Sequence, residues 1–166
     1  MKHIRKIFVT TLLCSICGVT SAADLLPTKL MSMELARDIA QKAVEACRTQ
    51  GYQVSAVVVD RGGEPQVVMR DVFATRFNVE IATRKANTSI LSGAPSSELR
   101  ESRSDIRPEL NHISGIIIMD GGLPIRAGGQ LIGAVGVSGA PTGKIDADCS
   151  QKGIDAVNER LEFAED

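Results

Sequence analysis

Apolar residues recur at helical spacing from Leu35 through Ile39, Ala43 and Cys47, flanked by Ala36, Ala40 and Val44. With Ser32 placed to cap the start, Glu34 in the first turn and Gly51 at the end, this pattern predicts an amphipathic helix of about 18 residues. The period then changes. Val54 to Val59 is an unbroken β-branched and apolar run, Arg61-Gly62-Gly63-Glu64 is a turn, and Pro65 to Met69 is extended again, so the two runs are expected to pair as a hairpin with Pro65 opening an edge strand. After Asp71, the spacing of Phe77, Ile81, Ala82 and Ala86 up to Leu91 predicts a second helix that stops at Gly93-Ala94-Pro95. Residues 96–112 are polar and mixed, and Pro108 rules out one continuous helix through them. Three short strands follow in the pattern: Ile116 to Met119, Leu123 to Ile125 and Leu131 to Val137, separated by glycine turns. Asp146 is expected to cap a last helix carrying Cys149, Ile154, Val157 and Leu161.

The predicted order is α-ββ-α-βββ-α. It fits one α+β domain with a five-stranded antiparallel sheet covered by helices, rather than a parallel βαβ sheet. No second domain, linker, repeat or low-complexity tract interrupts residues 23–166.

The first residues have a different character. Lys2, Arg5 and Lys6 precede an uncharged apolar stretch from Ile7 to Val19, and Thr20-Ser21-Ala22-Ala23 supplies small residues for a signal peptidase. Residues 1–22 are therefore read as a signal peptide cut near Ala22 or Ala23, giving a periplasmic or secreted chain; about 13 apolar residues are too few for a stable membrane anchor. Leu13 and Ile16, directly before Cys14 and Cys17, do not make a lipoprotein context.

Charge and composition narrow the function. The 166 residues carry 19 basic and 20 acidic side chains, and loss of residues 1–22 leaves 16 against 20, a net charge of −4. No basic patch or aromatic platform for nucleic acid is present, since aromatics make up 3% of the chain. The mature chain keeps one histidine, His112, and two cysteines, Cys47 and Cys149. If the first and last helices pack antiparallel the two thiols fall at one height and a disulfide is open to them; otherwise they are small core residues.

Several motifs fail on inspection. Gly136-Val137-Ser138-Gly139-Ala140 lacks the last glycine and the strand-to-helix turn of a nucleophile elbow, and the stretch up to Lys144 lacks the first glycine and the hydroxyl residue of a phosphate loop. Asn87-Thr88-Ser89 matches a glycosylation sequon but falls within a predicted helix. The glycines at Gly121, Gly122, Gly128 and Gly129 serve tight turns, or alternatively a close ligand approach with Pro124 stiffening the lip. His112 offers a ring nitrogen to a metal or haem iron, with Met69, Met119, Tyr52 and lysines as rivals. Arg76, Arg84, Lys85 and Arg107 are candidates for carboxylates, or else a solvated helix face.

From Leu35 to Leu161 the chain resembles the GlcG/HbpS-like family, often labelled haem-degrading or haem-binding, which includes the C-terminal domain of PduO-type proteins. The matching pieces are Ala56-Val57-Val58-Val59-Asp60 with Gly62-Gly63, the Ala82-Thr83-Arg84-Lys85-Ala86 helix, Gly121-Gly122-Leu123-Pro124-Ile125, and Ile132 to Ala140. Val72-Phe73 stands where a Gly-Ala pair commonly follows the aspartate matching Asp71, and Asn87 stands where an aromatic is often found. The resemblance implies a profilin-like domain in α/β/α layers, homo-oligomers, and haem or a related tetrapyrrole as ligand. It implies a pocket edged by Asp71, Phe73, Arg84, Lys85, His112, Gly121, Gly122 and Pro124, with His112 on the iron, arginine or lysine on the propionates, and Phe73, Leu123 and Ile125 over the ring. No catalytic constellation is identifiable. Two other readings remain open at this point: an accessory protein or enzyme acting on a small hydroxy or oxo acid, as in the glycolate-linked relatives, and a structural or sensor oligomer subunit.

Overall fold

The computed structural model describes Asp24 and residues 26–163; the expected signal peptide and its cleavage site lie outside the described residues. Among those described, no helix is long and apolar enough to cross a membrane.

Helix α1 (Met33–Thr49) begins where the Ser32 hydroxyl accepts the Leu35 N–H, and its apolar stripe of Ala36, Ile39, Ala40, Ala43, Val44 and Cys47 is buried. Strands β1 (Ser55–Asp60) and β2 (Pro65–Arg70) form the hairpin, and α2 (Arg76–Ser92) ends on Gly93 in the left-handed region. The polar stretch holds two short helices, α3 (Ser96–Ser102) and α4 (Arg107–Leu110), joined by a 3-10 turn. Strands β3 (Gly122–Ala127) and β4 (Gln130–Ser138) form a second hairpin, followed by α5 (Gly143–Asp155) and α6 (Asn158–Glu162).

The sheet has four antiparallel strands in the order β2-β1-β4-β3. The expected fifth strand at Ile116 to Met119 does not form. Thr88 of α2 takes it instead: its hydroxyl accepts the Ile117 N–H at 3.1 Å and lies 2.8 Å from the Ile117 carbonyl, while the Asn87 amide donates to the Gly115 carbonyl. The stretch runs along a helix, and the Ile117 backbone groups are spent there rather than on a sheet edge.

Helices α1 and α5 cover one face of the sheet, where Val54, Ala56, Val58, Ile125, Val135 and Val137 build the main core. Helix α2 covers the other face over a small core of Val57, Val59, Ala82, Ala86 and Ala134. The layers are thus α/β/α. Cys47 of α1 and Cys149 of α5 are joined by a disulfide.

The last helix also starts differently from expectation. Thr142, not Asp146, is its cap, with the threonine hydroxyl accepting the Ile145 N–H. Asp146 is turned inward, and this inward turn leads to the centre of the molecule.

Candidate functional site

Helix α2 sits close to the sheet because the strands beneath it lack side chains. A Cβ on Gly122 would lie 2.0 Å from the Lys85 carbonyl oxygen, and one on Gly136 would lie 2.0 Å from that of Ala82. Lys85 then threads inward past Gly121, whose φ of 120° and crowded surroundings exclude a side chain. Its ammonium donates to the Val137 carbonyl at 3.0 Å and to Asp146 Oδ2 at 2.7 Å, and it is 1% exposed. Asp146 Oδ1 accepts the Ala140 N–H, the Ser150 hydroxyl donates to the Gly121 carbonyl, and the Gly122 N–H donates to the Ser96 hydroxyl. Burial pushes the Asp146 carboxyl above its ordinary 3.8, opposed by the charge and hydrogen bond of Lys85 and by the Ala140 amide.

Of the residues expected to edge one pocket, Lys85, Gly121 and Gly122 therefore meet, but inside the protein. The recorded partners of the pair, the Val137 carbonyl and the Ala140 N–H, are protein backbone groups, and the ion pair itself ties α2 to α5. This is a structural junction, and it offers no surface to a ligand's carboxylates.

Asp71 is buried just after β2, at the opposite edge of the sheet. Its Oδ1 accepts the Arg48 Nε–H at 2.8 Å, Arg48 Nη2 also donates to it, and its backbone N–H donates to the Val54 carbonyl. The carboxylate holds the Arg48 guanidinium above its ordinary range, through a hydrogen bond and the opposite charge. Phe73 is 81% exposed beyond it, and only its backbone is tied, to the Gln53 side chain. Arg84 lies on the outer face of α2, paired with Glu80 at 2.6 Å. Pro124 is half-buried in β3 opposite Ala134. The eight expected pocket residues are thus distributed over separate places, not gathered into one.

His112 is exposed just after α4; its backbone N–H donates to the Glu109 carbonyl, and its imidazole has no partner among the described residues. The space near it is a trough along the C-terminal half of α2. A cavity of about 400 Å³ between α2 and the α3–α4 segment is lined by Leu91, Leu99, Leu110 and Ile113, with Ser92 and Arg103 among its polar groups. A second, of about 290 Å³, lies between the β1–β2 turn and residues 114–116, over Gly63, Asn87 and Gly115. The two share Leu91; directly after His112, Ile113 borders the first and Ser114 to Ile116 border the second. Leu91 and Ile113 are about half exposed, and Asn87 Oδ1 is a buried acceptor without a partner.

The trough has largely apolar walls, a side-chain-free floor at Gly63 and Gly115, an Arg103 guanidinium that also reaches Asp105 at 3.4 Å, a carboxylate at Glu98, and an unengaged imidazole in the adjoining loop. It suits a flat apolar molecule that carries a carboxylate. No group of three or more His, Cys, Asp or Glu gathers to hold a bare metal ion among the described residues. Leu99, Leu110, Ile113 and Arg103 escaped the sequence reading, although four apolar residues, with Ile106, within an otherwise polar segment were the available signal.

A family model described as haem degrading protein HbpS-like matches residues 31–155. Protein GlcG of Escherichia coli K12 is 29% identical over 109 residues, covering 66% of this chain and 81% of GlcG. The chain resembles the crystal structure of a double mutant of Streptomyces reticuli HbpS with a TM-score of 0.76 and 34% identity, covering 82% of this chain and 93% of the other. It resembles the crystal structure of a PduOC:heme complex with a TM-score of 0.70 and 26% identity, covering 78% and 96% respectively.

Proposed function

Because this chain belongs to the HbpS-like family, whose model spans residues 31–155, we propose that it binds haem or a related tetrapyrrole in the trough beside α2. The observation that carries the reading is the juxtaposition of an apolar cleft, formed by Leu91, Leu99, Leu110 and Ile113, with the loop that begins at an unengaged His112. A relative solved as a haem complex shares the fold. Haem would bring its iron already ligated by the macrocycle, so the protein would need to supply a nitrogen ligand and shelter rather than a full metal cage.

The leucines and Ile113 would exclude water from the ring, Arg103, shared with Asp105, would meet a propionate, and the His112 imidazole would offer a nitrogen to the iron. The reading extends to a chain exported after removal of residues 1–22, supported by their charge and apolar pattern. It extends also to a homo-oligomer, supported by the exposed Val72, Phe73 and Phe77. Light scattering of the mature chain that finds only monomer would remove that last part.

The test is a titration of the mature protein with haemin, followed at the Soret band, with His112→Ala alongside. Saturable one-to-one binding, with a Soret maximum displaced in the variant, is the expected result. A featureless titration of the unmodified protein overturns the haem reading, and an unchanged spectrum in the variant overturns His112 as the ligand.

A further inference from the structure

The outer edge of β2 carries backbone groups that the fold leaves open. The Asp71 N–H donates to the Val54 carbonyl, which fixes the alternation along the strand: Met69 and Val67 turn their N–H and C=O towards β1, while Val68 and Arg70 turn theirs away. Among the described residues no further strand lies beyond β2, and Val68 is 49% exposed. Beside this edge, a groove of about 310 Å³ separates β2 from α1, lined by Gln41, Val44, Glu45 and Arg48 on the helix and Met69 and Arg70 on the strand. An open strand edge flanked by a helix, with an apolar floor between them, is the geometry in which proteins add a strand from a partner.

The local charges select the partner. Glu45 is satisfied by Lys42 and Gln41, and Asp71 by Arg48. Arg70 donates only to the backbone carbonyls of Asp71 and Ala74, so its positive charge has no carboxylate partner among the described residues. Arg48 uses Nε and Nη2 on Asp71, leaving Nη1 uncommitted. A second copy of this strand is a poor occupant. Gln66 is the extra residue of a bulge between the Val59–Pro65 and Val58–Val67 pairs, so regular pairing extends only over Val67 to Arg70. Antiparallel self-pairing centred on Met69 also places the two Arg70 side chains diagonally adjacent, a like-charge arrangement that opposes association.

We infer that the β2 edge and the adjoining α1 groove form a docking site for a short extended peptide of another protein, bearing an apolar side chain next to a carboxylate. The peptide backbone pairs with the open N–H and C=O groups of Val68 and Arg70. Its apolar side chain packs over Val44 and Met69, and its carboxylate meets Arg48. The site is separate from the trough beside α2 and does not depend on what fills it.

The test uses the mature protein and a fluorescein-labelled peptide, Thr-Val-Thr-Ile-Glu, with a free C-terminus, read by fluorescence anisotropy and by amide hydrogen exchange. Saturable binding is expected, with slowed exchange at the Val68 and Arg70 amides. Val68→Pro removes an N–H that the β1 ladder does not use, so it should fold normally yet weaken binding about tenfold or more. A peptide N-methylated at alternate residues, or one neutralised at Glu and C-terminus, should also bind more weakly. Absence of binding, equal binding by the N-methylated or neutralised peptide, or unchanged affinity in a folded Val68→Pro variant each overturns the inference. So does slow exchange at Val68 and Arg70 in the free protein caused by pairing between two copies.

Discussion

The Lys85 ammonium and the Asp146 carboxylate meet at 2.7 Å at the end of the sheet, in space that exists because residue 121 is glycine. One residue comes from the layer above the sheet and the other from the layer below. The pair is 1% and 4% exposed at its side chains, so its charges are screened by protein groups rather than water.

Asp146→Asn should expose the sign of this arrangement through pH. Burial raises the Asp146 carboxyl above 3.8 in the folded chain, so the folded state takes up that proton at a higher pH than the unfolded state does. The resulting contribution to stability is complete below the unfolded value and is lost as pH rises through the folded value. Urea unfolding of both proteins should therefore show the stability difference shifting in favour of the unmodified chain as pH falls from neutral to about 3. A shift in the opposite direction would mean that the attraction of Lys85 outweighs desolvation.

Gly122→Ala should destabilise the fold strongly for its size. The new methyl would stand 2.0 Å from the Lys85 carbonyl, which is helix backbone and has no rotamer by which to retreat. The helix must lift or the strand must shift, at a cost of about 1–3 kcal/mol or more in thermal or urea unfolding. Gly129→Ala is the control for substitution as such; nothing lies within 4 Å of its added carbon, although its φ of 81° carries a penalty of its own. An equal loss at both positions would show that close packing is not the cause.

Breaking the Cys47–Cys149 link releases a constraint between residues 102 apart in sequence. Loop-closure arguments give a loss of about 3–5 kcal/mol for a crosslink of that span. Unfolding measured with and without a reductant, and on the Cys47→Ala/Cys149→Ala double variant, should agree on a decrease of this order. Both sulfurs are fully buried, so reduction should be slow until the chain opens.

Leu110→Asp tests the trough separately from the iron ligand. Leu110 lines the larger cavity and is only half-buried, so a carboxylate there leaves the main core untouched. The melting temperature should stay within a few degrees, while haemin affinity falls about tenfold or more through lost apolar contact and repulsion of the propionates. Unchanged affinity would place the ligand elsewhere.

Much of the fold could be read from local pattern. The stripe in α1, the Gly62-Gly63 turn between β1 and β2, and the stop of α2 at Gly93 each depend on neighbours within a few residues, which is the range that periodicity and turn chemistry report. Ile116 to Met119 looked like a strand because its residues are apolar and β-branched. Its fate was decided by Thr88, a hydroxyl 29 residues away that captures the Ile117 backbone. Asp146 likewise carried the right chemistry for a cap, but Thr142 stood four residues earlier and a buried lysine claimed the carboxylate.

The candidate site was less legible for the same reason. Lys85 and Asp71 are polar residue types that sequence alone assigns to a ligand, whereas each is occupied by a partner brought in from far along the chain, Asp146 and Arg48. The trough depends on Leu91, Leu99, Leu110 and Ile113 facing one another across three short elements, a relation with no fixed spacing to detect.

The disulfide between α1 and α5 and the Lys85–Asp146 junction together bind both outer layers into one stiff body. Residues 93–121 are different: Ser96 is tied to Gly122, Arg100 to Asp120, and Gly115 and Ile117 to Asn87 and Thr88 of α2, but between Ser102 and Ile113 no side-chain hydrogen bond reaches the rest of the domain among the described residues. Amide hydrogen exchange should accordingly be fastest between Ser102 and Ile113 and slowest in the layers that the disulfide and the buried ion pair hold together.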